Sequence, residues 1–292
     1  KVFHWLFTMY RGRVRMHPTI YWTVGFMVLF VIGGATGIIH ATVPVDFNVH
    51  NTTFLVAHFH NMLIPGALFG FVAGYQYWFP KAFGFELDER WGRRAFWGWA
   101  VGFVLAFTPL YILGLMGLPR RVAEIYDAGF APLLTIAMIG ACSVGFGIFA
   151  IVMQLYVSIR ERDQLRDATG DPWNGRTLEW SIPSPPPPFN FARIPIVHGR
   201  DAFAEAKASS TPLQYEPAEP IEMPNSTAAG FYIGVLSFLF GFAMIWWIWW
   251  LAVLSLLGIV AVAVQRSWID HDEHEISERE IGQVMARLTG GA

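Results

Sequence analysis

One cysteine, Cys142, stands in 292 residues, and it lies inside an apolar run. That excludes an intrachain disulfide and a metal cluster built on thiolates. Any metal here must be held by imidazole or arrive inside a porphyrin. Charge is also scarce: Lys, Arg, Asp and Glu make up 14% of the chain and nearly cancel, to a formal −2. A nucleic-acid partner requires a concentrated basic face, and none is present. The first residue is Lys1, no secretory leader pattern follows, and Lys1-Val-Phe-His-Trp-Leu-Phe reads as the tail of a helix already under way. The chain is therefore expected to be the C-terminal part of something longer.

What is abundant is apolar surface, 54% hydrophobic residues with 16% aromatic, which points to a polytopic membrane protein. The expected fold is all-α, a transmembrane helix bundle with the end of one span followed by about six full spans. Residues 1–10 are the last turns of the first. Residues 16–45 carry no charge and are long enough to cross a ~30 Å hydrocarbon core. Within them Gly33, Gly34, Ala35, Thr36 and Gly37 form a small-residue face suited to close helix packing. The next span runs from about residue 54 to 79, with Pro65 and Gly66 predicting a bend. Residues 95–117 and 130–159 are one uncharged span each. The uncharged residues 223–265 would be about 64 Å long as one helix, far more than a bilayer needs, so they predict two helices meeting in a tight turn. Trp246, Trp247, Trp249 and Trp250 sit where that turn would meet the interface.

The span beginning near residue 54 contains His58-Phe59-His60. Two residues separated by one position point roughly 200° apart on a helix, so the imidazoles face opposite sides of one rod. Two ligands of a single metal would more naturally stand at i and i+4. This spacing instead serves two sites. Ionisable residues within a span are candidate functional groups, and His is a frequent axial ligand of haem iron. The alternative is a pair of histidines hydrogen-bonded to neighbouring helices.

Basic residues alternate between loops. Arg11, Arg13 and Arg15 fall in one connection, Lys81, Arg90, Arg93 and Arg94 two spans later, and Arg160, Arg162, Arg166 and Arg176 two spans after that. By the positive-inside rule these connections are cytoplasmic, and so is the C-terminus. Arg120-Arg121, on the other side, oppose that signal. They would suit anionic groups at the membrane edge such as haem propionates, or they form a solvated loop pair or a salt bridge to Glu124 or Asp127. The expected division is a core bundle over 1–160, a cytoplasmic Pro-rich connection over 161–225, a transmembrane hairpin over 226–266 and a cytoplasmic acidic tail over 267–292. The proline run at 183–188 predicts a stiff polyproline II spacer. His271 and His274 in the tail look superficially like a metal cluster, but an acidic amphipathic segment accounts for them more simply.

Val56-Ala57-His58-Phe59-His60, with Asp46 and His50 before it, Arg120-Arg121 after it, and the segment Asp171-Pro-Trp-Asn-Gly-Arg-Thr-Leu-Glu-Trp180, resembles subunit I of the haem–copper terminal oxidases. The resemblance extends to about Arg266. It implies that His58 is the proximal ligand of a high-spin haem and His60 an axial ligand of a low-spin haem, with Phe59 between them. It further implies that Arg120 and Arg121 hold haem propionates, that Asp46 and His50 line the outer surroundings of the high-spin haem, and that Lys1 belongs to a proton-uptake path. Histidines 4, 17, 40 and 198 match no family motif and are expected in loops or at the interface.

Within the family the resemblance is closer to the bo-type ubiquinol oxidases, because His50 is followed by Asn51 where cytochrome c oxidases usually carry His-Asp at a magnesium site. The implied cofactors are two haems, a low-spin b type and a high-spin o type, with copper in the full-length protein. The copper ligands of the family belong to earlier helices, and this chain alone should be inactive. The implied activity is ubiquinol oxidation with reduction of oxygen to water, coupled to proton pumping in a bacterial inner membrane alongside subunits II, III and smaller ones. Cytochrome c oxidase subunit I is one alternative. A polytopic proton-coupled transporter without cofactor is another.

Overall fold

The computed structural model describes residues 1–125, 127–269 and 272–289. These divide into two compact units, 1–185 and 186–292.

The first unit begins with a short exposed helix, α1 (Val2–Met9), and then α2 (Pro18–Ala41). Pro18 suits the first turn of α2, where its missing N–H costs nothing, and the His17 ring accepts from the Thr19 amide as the cap. A short helical connection, α3 (Val43–Val49), leads to α4 (Thr53–Leu63). The bend predicted at Pro65 is a π-helical turn over Ile64–Phe69, after which the span continues as α5 (Gly70–Phe83). A π turn accommodates the ring without breaking the rod, because the ladder widens around the lost donor. Two long helices, α6 (Glu89–Leu115) and α7 (Ala131–Arg160), complete this unit's bundle. They pack backbone to backbone. A Cβ on Gly140 would collide with the Ala106 amide nitrogen, and one on Gly114 with the Phe54 nitrogen of α4.

The core is aromatic, with Trp22, Phe69 and Phe96 meeting edge to face at 4.8 and 5.5 Å from the indole. Beside it, Gln76 and Gln154 exchange reciprocal hydrogen bonds of 2.6 and 3.0 Å. Buried amides satisfied by one another avoid the desolvation penalty that unpaired ones would carry.

Two expectations about charged residues change here. Lys81 is not in a loop: it sits inside α5, buried, and donates to the carbonyls of Gly170 at 2.8 Å and Ile182 at 2.7 Å. Arg90, Arg93 and Arg94 lie on the opening turns of α6, which extends below the apolar run because Asp88 caps it through the Trp91 amide at 2.7 Å. Residues 161–185 pack against the same end of α5, where the Trp173 indole donates to the Tyr77 carbonyl at 2.8 Å. The proline run does not form a straight polyproline II spacer, since the backbone bends at 184–185 and turns at 188–189.

The second unit contains α8 (Ala202–Ser209), β1 (Ile221–Pro224), α9 (Ala229–Ile245), α10 (Trp249–Ser267), β2 (Glu273–Ile276) and α11 (Glu278–Thr289). β1 and β2 pair antiparallel, Ile221 opposite Ile276, which adds a small sheet to an otherwise helical chain. The predicted hairpin is present. α9 and α10 are joined at Trp246-Trp247-Ile248, with Trp247 at φ 59° and the Ile248 amide reaching back to the Ala243 carbonyl at 2.9 Å. All four tryptophans at the turn are exposed, as an interfacial belt requires. His271 lies outside the described residues.

Among the described residues five helical stretches are long and apolar enough to cross a membrane: Pro18–Ala41, Thr53–Phe83, Glu89–Leu115, Ala128–Arg160 and Trp249–Ser267. The sixth expected crossing, Ala229–Ile245, is apolar but has 17 residues, at the short end of what a bilayer requires.

Candidate functional site

The site is built on α4. His58 and His60 face different helices, as their spacing predicted. The His58 ring meets α2: its Nδ1 lies 3.0 Å from Thr36 Oγ1, and a Cβ on Gly37 would stand 3.0 Å from its Cε1. The small-residue face of α2 thus leaves room for an imidazole. The His60 ring meets α6, stacked on Phe107 at 4.6 Å with 24° between planes, and Phe59 lies beside it at 4.3 Å.

His60 Nδ1 is 2.7 Å from the Val56 carbonyl, one turn back on the same helix. A carbonyl only accepts, so Nδ1 carries the proton and the Nε2 lone pair faces outward. An imidazole in that tautomer is a metal ligand already oriented by its second nitrogen. Among the described residues no group of three His, Cys, Asp or Glu side chains is placed to hold a metal ion. A metal at either histidine would take one ligand from that imidazole and the rest from elsewhere, as a porphyrin iron does. The residues fit haem.

At the end of α2 stands a second group that the sequence suggested only in part. Asp46 of α3 accepts from His40 Nδ1 at 3.0 Å, and His50 Nδ1 lies 3.3 Å from its other oxygen. The His40 hydrogen bond, with the His50 imidazole nearby, holds the Asp46 carboxyl below the usual carboxylate range. His40, expected in a loop or at the interface, is in the last turn of α2 with its ring 5.3 Å from that of His58. Its Nε2 is buried without a hydrogen-bond partner among the described residues. Asp46 and His50 are thereby connected to the His58 side of α4 through His40. His17, also expected in a loop or at the interface, is buried against Trp173 at 4.6 Å, and burial pushes its pKa down to about 4. His4 and His198 are exposed.

Arg120 docks on the segment before α4, its Nε donating to Asn51 Oδ1 at 3.0 Å and its amide to the Asn51 carbonyl at 2.9 Å. Arg121 is exposed with φ 65°. Asn51 therefore spends its side-chain oxygen on an arginine. Lys1 is exposed at the start of α1, as its N-cap residue.

Residues to which the sequence reading gave no role at the site complete the surroundings. Thr36 Oγ1 lies 3.1 Å from the Tyr111 hydroxyl, which donates to Asn61 Oδ1 at 3.3 Å, and Asn61 Nδ2 donates to the Leu29 carbonyl at 2.7 Å. The available signal was polarity within uncharged spans, which marks residues that must find partners.

The family model of cytochrome c and quinol oxidase polypeptide I matches residues 1–143. The cytochrome bo(3) ubiquinol oxidase subunit 1 of Buchnera aphidicola subsp. Schizaphis graminum is 48% identical over 287 residues, 98% of this chain and 44% of that protein. The chain belongs to the cytochrome c and quinol oxidase subunit I family. The corresponding protein of subsp. Acyrthosiphon pisum is 50% identical, covering 97% of this chain and 43% of its own length. A probable cytochrome c oxidase subunit 1 of Bradyrhizobium diazoefficiens is 48% identical with the same coverage. The chain thus spans less than half the length of the curated relatives it matches. Membership in this oxidase family favours the oxidase reading over a cofactor-free transporter. Relatives named for different donors are similar to nearly the same degree, so identity alone does not choose between donors.

Proposed function

We propose that this chain is part of the catalytic subunit of a bacterial inner-membrane terminal oxidase that oxidises ubiquinol and reduces oxygen to water with proton pumping. The observation carrying this is the pair of imidazoles on opposite sides of α4, each hydrogen-bonded at Nδ1. In this reading His58 holds the high-spin haem, of o type, and His60 the low-spin haem, of b type. Bound haem iron, with copper held by helices outside this chain, would supply the electron transfer and oxygen chemistry. The chain's own residues do the placing. α4 fixes the separation and opposed directions of the two imidazoles, and Phe59 and Phe107 pack against the His60 ring. Arg120 and Arg121 offset propionate charge at the outer edge, with Asp46 and His50 on the high-spin side. Lys1 passes protons inward from the cytoplasmic face, on which the C-terminus also lies. Subunits II, III and smaller ones are the expected partners. The division that goes with this reading is the one expected from sequence: core bundle 1–160, Pro-rich connection 161–225, hairpin 226–266 and tail 267–292.

Ubiquinol as donor is supported by relatives named ubiquinol oxidase at 48 to 50% identity and by Asn51. An amide there offers no anionic ligand to a hard cation, and its oxygen is engaged by Arg120. The relative named as a probable cytochrome c oxidase supports a second reading, in which the donor is cytochrome c. Oxygen uptake by membranes carrying the assembled enzyme tests both. Uptake with a short-chain ubiquinol and none with reduced cytochrome c is expected. The converse would establish the second reading, and no uptake with either would overturn both.

A further inference from the structure

We propose that Thr36 is a positioning residue that fixes the tautomer of His58 and so leaves its Nε2 free to bind iron; this rests on the assignment of His58 as a haem ligand. The argument is a count of protons. Thr36 Oγ1 has three polar neighbours: the Gly33 carbonyl at 2.8 Å, His58 Nδ1 at 3.0 Å and the Tyr111 hydroxyl at 3.1 Å. A threonine hydroxyl has one proton and two lone pairs. The Gly33 carbonyl can only accept, and it is the nearest of the three, so it takes the proton. The two lone pairs then face His58 and Tyr111, and His58 Nδ1, with no proton left on Thr36 to accept, must donate.

Tyr111 has a single proton, which it donates to Asn61 Oδ1 and shares at most in part with Thr36 Oγ1, so it does not compete for the Thr36 proton. Asn61 is itself held by the Leu29 carbonyl through its amide nitrogen, so its oxygen points to Tyr111. His58 Nδ1 therefore carries a proton and donates it to Thr36, and the Gly33 carbonyl, which also partners the ring, can only accept and so favours the same tautomer. Nε2 is then bare. The opposite tautomer would place a proton on Nε2 and leave Nδ1 facing an oxygen lone pair. Thr36 therefore does for His58, across two helices, what the Val56 carbonyl does for His60 within one.

A donated Nδ1 proton raises the basicity of the ligating nitrogen, which gives a spectroscopic readout separate from turnover. The test is resonance Raman spectroscopy of the reduced high-spin haem in the assembled membrane enzyme, following the iron–histidine stretching band. Thr36→Val keeps the shape of the side chain and removes the acceptor. Its band should move to lower frequency while low-spin haem content is unchanged, and Thr36→Ser should return the band to the wild-type position. An unmoved band in Thr36→Val overturns the proposal. If Thr36→Val loses the high-spin haem, Thr36→Ser decides: retained haem with the wild-type band supports the role of the hydroxyl, and loss in both variants overturns it. His58→Ala separates the two levels of the argument. A band that persists in His58→Ala, or is missing from the wild type, overturns the ligand assignment and this proposal together. A band abolished in His58→Ala but insensitive to Thr36 overturns this proposal alone.

Discussion

His60 is tied to its own helix, through Nδ1 to the Val56 carbonyl at 2.7 Å, whereas His58 is tied to α2, through Thr36 Oγ1 at 3.0 Å. The first arrangement needs only that α4 be helical around residue 60. The second needs α2 to be in register beside α4, with Gly37 leaving space and Thr36 facing the ring. One helix thus offers a locally determined site on one side and a packing-determined site on the other. Substitutions in neighbouring helices should separate the two.

The largest effect should erase the difference. Gly114 brings α6 against the backbone of α4 at Phe54, and a side chain there has nowhere to go. Gly114→Val should destabilise by on the order of 4 kcal/mol or more and lower both haem signals together, as read by haem content per assembled enzyme. Loss of only one would show that the two sites do not share this contact.

Gly37→Ala should act on one side only. Its Cβ would stand 3.0 Å from His58 Cε1, closer than most real contacts, so the ring or the helix must shift at a cost of roughly 1–3 kcal/mol. Carbon monoxide binding by the high-spin haem should weaken while the low-spin absorbance band stays. Equal loss of both would contradict a selective role for α2. Phe107→Ala is the mirror experiment. It removes the ring stacked on His60, about 0.5–1.5 kcal/mol beyond the area lost. The low-spin band should shift or broaden with carbon monoxide binding unaltered.

The smallest effect lies away from α4. Burial holds the His17 pKa at about 4, below its ordinary 6.5. The unfolded chain then binds a proton that the native cap of α2 does not, so its contribution is complete above 6.5 and is lost as pH falls toward 4. Thermal unfolding in detergent should show a midpoint that drops between pH 7 and pH 5, with a flatter slope in His17→Gln. An equal slope in the variant would assign the pH dependence to other groups.

Features set by local chemistry were legible in the sequence. The opposed directions of His58 and His60 follow from helical rotation, the disturbance at Pro65 from its missing donor, and the hairpin turn at Trp246-Trp247 from the excess length of an uncharged run. Features that depend on which helices touch were not legible. Thr36, Tyr111, Asn61 and Phe107 come from three helices, and nothing in a one-dimensional pattern pairs a threonine on α2 with a histidine on α4. Reading every cation as a loop residue also failed at Lys81, because a long side chain can lie inside a helix and still satisfy its ammonium on carbonyls of a packed segment. His17 and His40 stand at the two ends of α2, in keeping with a loop or interface position, but the contacts they make with Trp173 and Asp46 were not legible, because they depend on which segment packs beside each helix end.

The most direct test of the central claim, that one helix carries two separate haem ligands, is a reduced-minus-oxidised spectrum with and without carbon monoxide on the assembled enzyme and its His58→Ala and His60→Ala variants. The account predicts that His60→Ala loses the low-spin band and keeps a carbon-monoxide-sensitive high-spin haem, and that His58→Ala does the reverse. Two variants with the same residual spectrum, or either one retaining both signals, would contradict it.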